Sequence, residues 1–356
     1  MSEGKFLVVN PGSTSTKIAI FDKKVIVYEK ILRHSPEELS VYPRVVDQFS
    51  FRKSLILAAL QEDQADLSAL TCVVGRGGVT KPLAGGTYRI NERMCEELRN
   101  TNQGHASNLG ALVAKAIADE RGLPAFIVDP VVVDEMEPIA KLTGFKGVTR
   151  KSIFHALNQK AVARKAAAQL QKEYQDCRFI IAHLGGGISV GVHQNGRVID
   201  VNNALDGDGP FAPERAGSIP TGLLVEICYN GGFTQKEMYR KLAGRGGLVG
   251  LLGTNDARTV EKMIAAGDDN AKLVYEAMAY QIAKEIGSCS AVLFGKVDRI
   301  ILTGGLAHSR MLTQWIKDRV EFIAPILVFP GEGEMEALAQ GAWRIMEGAD
   351  PVREYV

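Results

Sequence analysis

The sequence predicts a duplicated α/β protein with a mixed sheet in each half. Three observations predict it. Short apolar runs of strand type alternate with helical patterns along the 356 residues. The pattern then restarts, because Phe179–Val198 lies on Phe6–Val25 with a shift of 173 residues and no gap. Each half also carries a buried strand that runs into a double glycine, Thr71–Val74 before Gly77-Gly78 and Arg299–Thr303 before Gly304-Gly305.

In chain order, Phe6–Asn10 is an apolar run that stops at Pro11-Gly12, Ile18–Phe21 resumes it, and Val25–Tyr28 follows the polar Asp22-Lys23-Lys24. This reads as an antiparallel meander. Helical patterns follow over Pro36–Gln48 and Arg52–Glu62. Ala106–Arg121 is a further helix, stopped by Gly122 and Pro124, and Ala125–Val128 is a strand ending at Asp129-Pro130. In the second half FIIAH (179–183) faces FLVVN (6–10), and Gly185–Gly187 faces Gly12–Thr14. The Asn195-Gly196 turn faces Asp22-Lys23, and Met335–Met346 is a closing helix.

Size and composition bound the function. At about 150 residues per domain, 356 residues make two domains. A net charge of +1 gives no long-range pull toward nucleic acid or anionic membrane, so any bound anion must be held by a local cluster. The cysteines, Cys72, Cys95, Cys177, Cys228 and Cys289, are odd in number and never form C-x-x-C. That pattern argues against a disulfide framework or a structural zinc, and for free thiols in a reducing cytoplasm. Met1–Lys5 is polar and is not read as a signal peptide. No apolar run approaches the roughly 20 residues that span a bilayer.

Three turns carry the chemistry. In Asn10-Pro-Gly-Ser-Thr-Ser-Thr-Lys17 the glycine allows close approach to a phosphate, the hydroxyls of Ser13, Thr14 and Ser15 can donate to its oxygens, and Lys17 adds charge. It is not a Walker loop, since the second glycine is missing and the flanks read strand–turn–strand. A polar hairpin turn would read the same way. His183-Leu-Gly185-Gly186-Gly187 is the second turn, and three glycines there cost entropy that a ligand touching backbone N–H groups would justify. Gly304-Gly305-Leu-Ala-His308-Ser309, opening a helix, is the third and suits a nucleotide. A duplicated fold brings the two hairpins to one interdomain cleft. Two other patterns are set aside. Gly187-Ile-Ser189-Val-Gly191 fits the hydrolase elbow, but Ser189 lies inside an alternating strand instead of a strand-to-helix turn. Asp206-Gly-Asp208-Gly begins like a calcium loop, but its twelfth position is Gly217.

Several longer stretches then carry a family resemblance: NPGSTSTK (10–17), VDPVVVDEM (128–136), RKSIFHALNQK (150–160), HLGGGISV (183–190), NALDGDGPFAPERAG (203–217) and LTGGLAH (302–308). Over essentially its whole length the chain resembles the acetate kinase family, and within it the butyrate kinases. That family belongs to the superfamily of acetate and sugar kinases, heat-shock chaperones and actin. The resemblance implies two actin-like (ribonuclease H-like) domains with mixed five-stranded sheets flanked by helices and a cleft between them. The first would be residues 1–130 plus 336–356, the second 131–335. It implies Mg2+ and ATP, a short-chain fatty acid or acyl phosphate as the other substrate, a cytoplasmic location and a homodimer or larger assembly. The implied reaction is butyrate + ATP = butyryl phosphate + ADP. Acetate, propionate or branched acids are the alternatives, and a non-catalytic nucleotide module is a remote one.

The resemblance also implies roles residue by residue. Asn10, Ser13, Ser15 and Lys17 resemble the first phosphate motif, and His183 with Gly185, Gly186 and Gly187 the second. Asp256, Arg258, Gly304 and Gly305 match adenosine contacts. Arg76 and Arg215 resemble the arginines that bind the carboxylate and the moving phosphoryl group, and His155 the histidine that stabilises the transition state. Asp129 and Glu334 resemble the acidic residues that organise magnesium. Without the resemblance, the arginines read equally as surface ion-pair formers and Asp129 as a turn residue. Two departures stand out. Arg76 abuts Gly77-Gly78 where acetate kinases have apolar residues, which should open an acyl pocket walled by Phe154 and Pro213. A family histidine one turn after His155 is Gln159 here.

Overall fold

The computed structural model describes residues 4–101 and 104–356. Residues 1–3 of the expected polar lead-in lie outside the described residues. The chain divides into two compact units, Met1–Val133 with Gly333–Val356, and Asp134–Glu332. The strands are β1 (Lys5–Pro11), β2 (Ser15–Asp22), β3 (Val25–Arg33), β4 (Leu70–Arg76), β5 (Thr87–Arg89), β6 (Ala125–Val128), β7 (Arg178–Leu184), β8 (Ile188–Gln194), β9 (Arg197–Val201), β10 (Arg299–Gly304), β11 (Ile326–Pro330) and β12 (Val352–Arg353).

In the first unit the order is β12-β5-β6-β4-β1-β2-β3. β1, β2 and β3 form the expected antiparallel meander, and β4 and β6 join parallel to β1. This sheet has seven strands where five were expected. The additions, Thr-Tyr-Arg and Val-Arg, are too short to show a period in sequence. Alternation sends Leu7, Val9, Ile18 and Ile20 to one face, against the helices Phe49–Glu62 and Asn108–Asp119. The opposite face packs on the helix Glu334–Met346, where Phe6 meets Trp343 at 6.0 Å between ring centroids. With both faces covered, β1 reads as a continuous apolar run.

In the second unit the order is β11-β10-β7-β8-β9, the five-stranded mixed sheet that was expected. Ile180, Ala182 and Leu184 face a core built with the helices Asp269–Val292 and Arg310–Val320. Phe179 and Ile181 face the other way, onto the helix Ala156–Gln169. β7 begins 173 residues after β1, and β8 begins 173 residues after β2. Five helices between β9 and β10, from Thr221–Asn230 to Asp269–Val292, have no counterpart in the sequence reading.

The expected helix over Pro36–Gln48 breaks in two. Ser35 and Glu38 form a capping box that starts Pro36–Ser40, and a separate 3-10 turn covers Val45–Gln48. Pro43 lies between them and disfavours helical geometry at the residue before it. Among the described residues no helix is long and apolar enough to cross a membrane.

Candidate active site

In the first unit the expected residues gather where strands end. β1, β4 and β6 run parallel, and Asn10, Arg76 and Asp129 stand at their carboxyl ends. Ligands of open α/β sheets bind outside such ends. Three of the expected residues touch. Arg76 Nη1 donates to Glu334 Oε2 at 2.7 Å and to Asn10 Oδ1 at 3.3 Å, while Asn10 Nδ2 donates to the same Glu334 oxygen at 2.8 Å. The contacts orient the Asn10 amide, oxygen toward guanidinium and nitrogen toward carboxylate. They occupy Arg76 Nη1 alone. Glu334 reaches this position because Gly333, at φ +55°, turns the chain into the helix that Glu334 begins. Asp129 is buried at φ +37° and clasps Gly86: its Oδ1 accepts from Gly86 N at 2.7 Å and its own N–H donates to Gly86 O at 2.9 Å. A non-glycine residue held there is strained, a feature that gathers at functional sites.

The first turn has an unforeseen support. Arg52, 1% exposed, donates from Nη1 to Gly12 O (2.8 Å), Ser15 O (3.0 Å) and Thr16 Oγ1 (3.1 Å), and from Nη2 to Ser13 O (3.2 Å). Thr14 O accepts from the His34 N–H at 2.9 Å. All four carbonyls of Gly12–Ser15 are therefore held from inside the unit. Carbonyl oxygens would repel a phosphate, and here three turn onto a cation and the fourth onto a backbone N–H. Burial pushes the Arg52 pKa down from its ordinary value, but guanidinium stays charged. Ser13 and Thr14 are left exposed, and Lys17 stands opposite Asn10 across β1 and β2. A signal for Arg52 exists in the sequence: it falls on the apolar stripe Arg52, Ile56, Ala59, Leu60 of its helix, where an arginine needs buried acceptors.

In the second unit His183 is the penultimate residue of β7, pairing with Thr303 of β10 and Ser189 of β8. The second and third turns meet: a side chain on Gly304 (φ +88°) would run into Leu184 O, and Gly304 exchanges both backbone hydrogen bonds with Gly331 at 3.0–3.1 Å. Arg215 lies against the second turn. A Cβ on Gly187 would come within 3.1 Å of both Arg215 Nη1 and Ala204 O, and Arg215 Nη1 donates to Ala204 O. Burial lowers the Arg215 pKa. A Cβ on Gly185 would lie 3.0 Å from His183 Nε2, whereas one on Gly186 would meet only the Glu214 carboxylate at 3.5 Å. Packing thus explains glycine at 185 and 187. It does not require glycine at 186, which is exposed.

His155 precedes the first turn of Ala156–Gln169 and stacks on His183, with centroids 3.8 Å apart and planes 9° from parallel. Ser189 is fully buried as the second residue of β8, inside a strand and not at a strand-to-helix turn. Asp256 and Arg258 pair with each other, at 3.0 Å from Arg258 Nε to Asp256 Oδ1 and from Nη2 to Oδ2, on an exposed helix start. A Cβ on Gly305 would meet nothing within 4 Å. A Cβ on Gly77 would meet Pro130 at 2.5 Å and one on Gly78 would meet Asn108 Oδ1 at 2.5 Å, so close packing within the first unit by itself explains glycine at both positions. Phe154 and Pro213 are buried.

The acetokinase family model matches residues 139–323, more than half of the chain. The chain belongs to the acetokinase family. Its structure is similar to acetate kinase from Porphyromonas gingivalis (TM-score 0.78, 19% identity, covering 96% of this chain and 100% of that one). It is also similar to a propionate kinase from Francisella tularensis (TM-score 0.76, 21% identity, 95% and 98% covered) and to acetate kinase from Entamoeba histolytica (TM-score 0.77, 16% identity, 97% and 100% covered). The fold, two helix-flanked sheets in two domains, is the actin-like fold of these kinases.

Proposed function

We propose that this protein transfers the γ-phosphoryl group of ATP directly onto the carboxylate of a short-chain fatty acid, in the reaction butyrate + ATP = butyryl phosphate + ADP. The observation that carries the reading is the Arg76–Asn10–Glu334 cluster at the strand ends beside a turn whose carbonyls are all held inward. A fatty acid with a pKa of about 4–5 is ionised at neutral pH, so no base is needed to make the nucleophile. The obstacle is repulsion between two anions. Arg76 binds the carboxylate and Arg215 the moving phosphoryl group, with His155 donating to its oxygens. Asn10, Ser13, Ser15 and Lys17, with His183 and Gly185–Gly187, hold the ATP phosphates. Asp256, Arg258, Gly304 and Gly305 contact the adenosine. The carboxylate oxygen forms a bond to Pγ, the bond from Pγ to the bridging oxygen breaks, and that electron pair leaves with ADP.

Among the described residues no group of three or more His, Cys, Asp or Glu could hold a metal. The two carboxylates assigned to Mg2+, Asp129 and Glu334, fit an ion that keeps water and takes phosphate oxygens as its other ligands. When bound, it would neutralise charge on the phosphates. The four-carbon preference rests on the resemblance in the motifs. A cytoplasmic location, where five free thiols stay reduced, and self-association as a homodimer or larger belong to the same reading.

A hydroxylamine trap tests the reading. With Mg-ATP and straight-chain acids of two to six carbons, butyrate should give the highest kcat/KM for acyl hydroxamate. Faster turnover of acetate or propionate would move the acceptor to those acids, and no hydroxamate with any acid would leave only a nucleotide-binding module.

A further inference from the structure

A buried chain of hydrogen bonds leads to His155, and its direction can be read from one atom. The carbonyl oxygen of Ser189 can only accept. Gln159 Nε2 lies 3.0 Å from it and 2.9 Å from Ser189 Oγ, so the nitrogen of the Gln159 amide points this way. The amide oxygen therefore points at His193 Nε2, 3.0 Å away, which must carry a proton. Burial, and behind it the charges of Lys160 and Arg164, hold His193 neutral. Its Nδ1 is then an acceptor and takes the hydroxyl proton of Tyr174 at 2.7 Å. Ser189 Oγ accepts from Gln159, and the backbone N–H of His155 leans on it at 3.5 Å. Its own proton is left to donate to His155 Nδ1 at 2.9 Å.

Tyr174, His193, Gln159 and Ser189 thus donate in one direction, toward His155. Ser189, Gln159 and His193 have no exposed surface. Burying so many polar groups is costly unless each is paired, and here each is. The neighbouring ring is set the opposite way. Asn158 Nδ2 donates to Glu332 O at 2.6 Å and to Thr303 Oγ1 at 3.3 Å, so Asn158 Oδ1 faces His183 Nδ1 at 2.7 Å and that nitrogen carries a proton.

We propose that Ser189, Gln159, His193 and Tyr174 are positioning residues that lock neutral His155 in its Nε2–H tautomer. The inference rests on the role proposed above for His155. An Nε2–H donates to a phosphoryl oxygen, whereas the other tautomer would turn a lone pair toward it. The relay also gives a defined role to Gln159, where the family resemblance leads one to expect histidine. An amide has one end that only donates and one that only accepts, so it cannot reverse the chain's direction.

The test uses the full chain with nitrogen-15 histidine. Long-range proton–nitrogen correlation at about pH 8, above the ordinary histidine range, reads the tautomer of His155, assigned by the spectrum of His155→Asn. The wild type should show a protonated Nε2 and a bare Nδ1. Ser189→Ala removes one hydroxyl without adding bulk, and should mix the tautomers and lower kcat about 10- to 100-fold, as for loss of a general acid–base contribution, with KM for ATP and acid nearly unchanged. Tyr174→Phe, at the far end, should shift both readouts in the same direction by less. A wild-type His155 protonated at Nδ1, or a Ser189→Ala enzyme with unchanged tautomer and kcat, overturns the proposal. The spectrum decides the relay whatever the acceptor acid, while the hydroxamate trap decides the reaction.

Discussion

In the first turn four residues separate the paired Pro11 and Thr16, and in the second three separate Leu184 and Ile188. The first is made of hydroxyl residues around one glycine, the second of glycine alone. Each leans on an arginine, but the two arginines differ. Arg52 lies buried under its turn with both terminal nitrogens engaged by backbone and side-chain oxygens. Arg215 is half-buried beside Gly187, and donates to Ala204 O from Nη1. Arg52 is spent on holding its turn, whereas the role proposed for Arg215 needs its remaining donors for a ligand. A turn with side chains of its own needs an internal brace for its carbonyls; a bare glycine turn needs room, so that a neighbouring side chain can pack on it.

The comparison is sharpened first by Arg215→Ala. Loss of a donor to developing charge should lower kcat about 10²–10³-fold, with the melting temperature nearly unchanged. Near-normal turnover would put Arg215 in the supporting class with Arg52. Arg52→Lys should do the reverse. A point charge cannot replace the planar fork, and each carbonyl left unsatisfied costs about 1–3 kcal/mol. Urea unfolding should show a loss of that order, KM for ATP should rise about tenfold, or 1.4 kcal/mol, and kcat at saturating ATP should change little. A stable Arg52→Lys enzyme with normal KM would remove the brace argument. The smallest effect is expected from Gly186→Ala. Its Cβ meets only an ordinary contact with Glu214, so thermal unfolding should not move, yet KM for ATP should rise several-fold if phosphate approaches that backbone. An unchanged KM would leave the second turn without a role at its exposed glycine.

Much of this was legible in the sequence. The two hairpins, the 173-residue repeat and the residues at the strand ends all follow from apolar runs broken by Gly-rich turns. The repeat differs in one detail. The second loop is one residue shorter between paired positions, so the pairing of β7 with β8 is offset by one from that of β1 with β2, and short apolar runs cannot show such an offset. The short edge strands β5 and β12 and the five helices after β9 were not read, because two- and three-residue strands have no period and tertiary packing decides the rest. Arg52 was missed because sequence shows an arginine's charge but not its acceptors. The packing reason for Gly77 and Gly78 was not legible, since a glycine in sequence looks the same whether it leaves space or is forced by a neighbour such as Pro130. Ser189 was legible as a strand residue, but its link to His155 needed coordinates.

The central claim is that a carboxylate oxygen itself attacks the γ-phosphorus. Butyrate carrying oxygen-18 in its carboxyl group, incubated with the enzyme and Mg-ATP, tests it in one phosphorus NMR spectrum. Butyryl phosphate should form in equal amount to ADP, with its phosphorus line displaced by oxygen-18 in the bridge. ADP and unlabelled inorganic phosphate alone, with no acyl phosphate line, would contradict it.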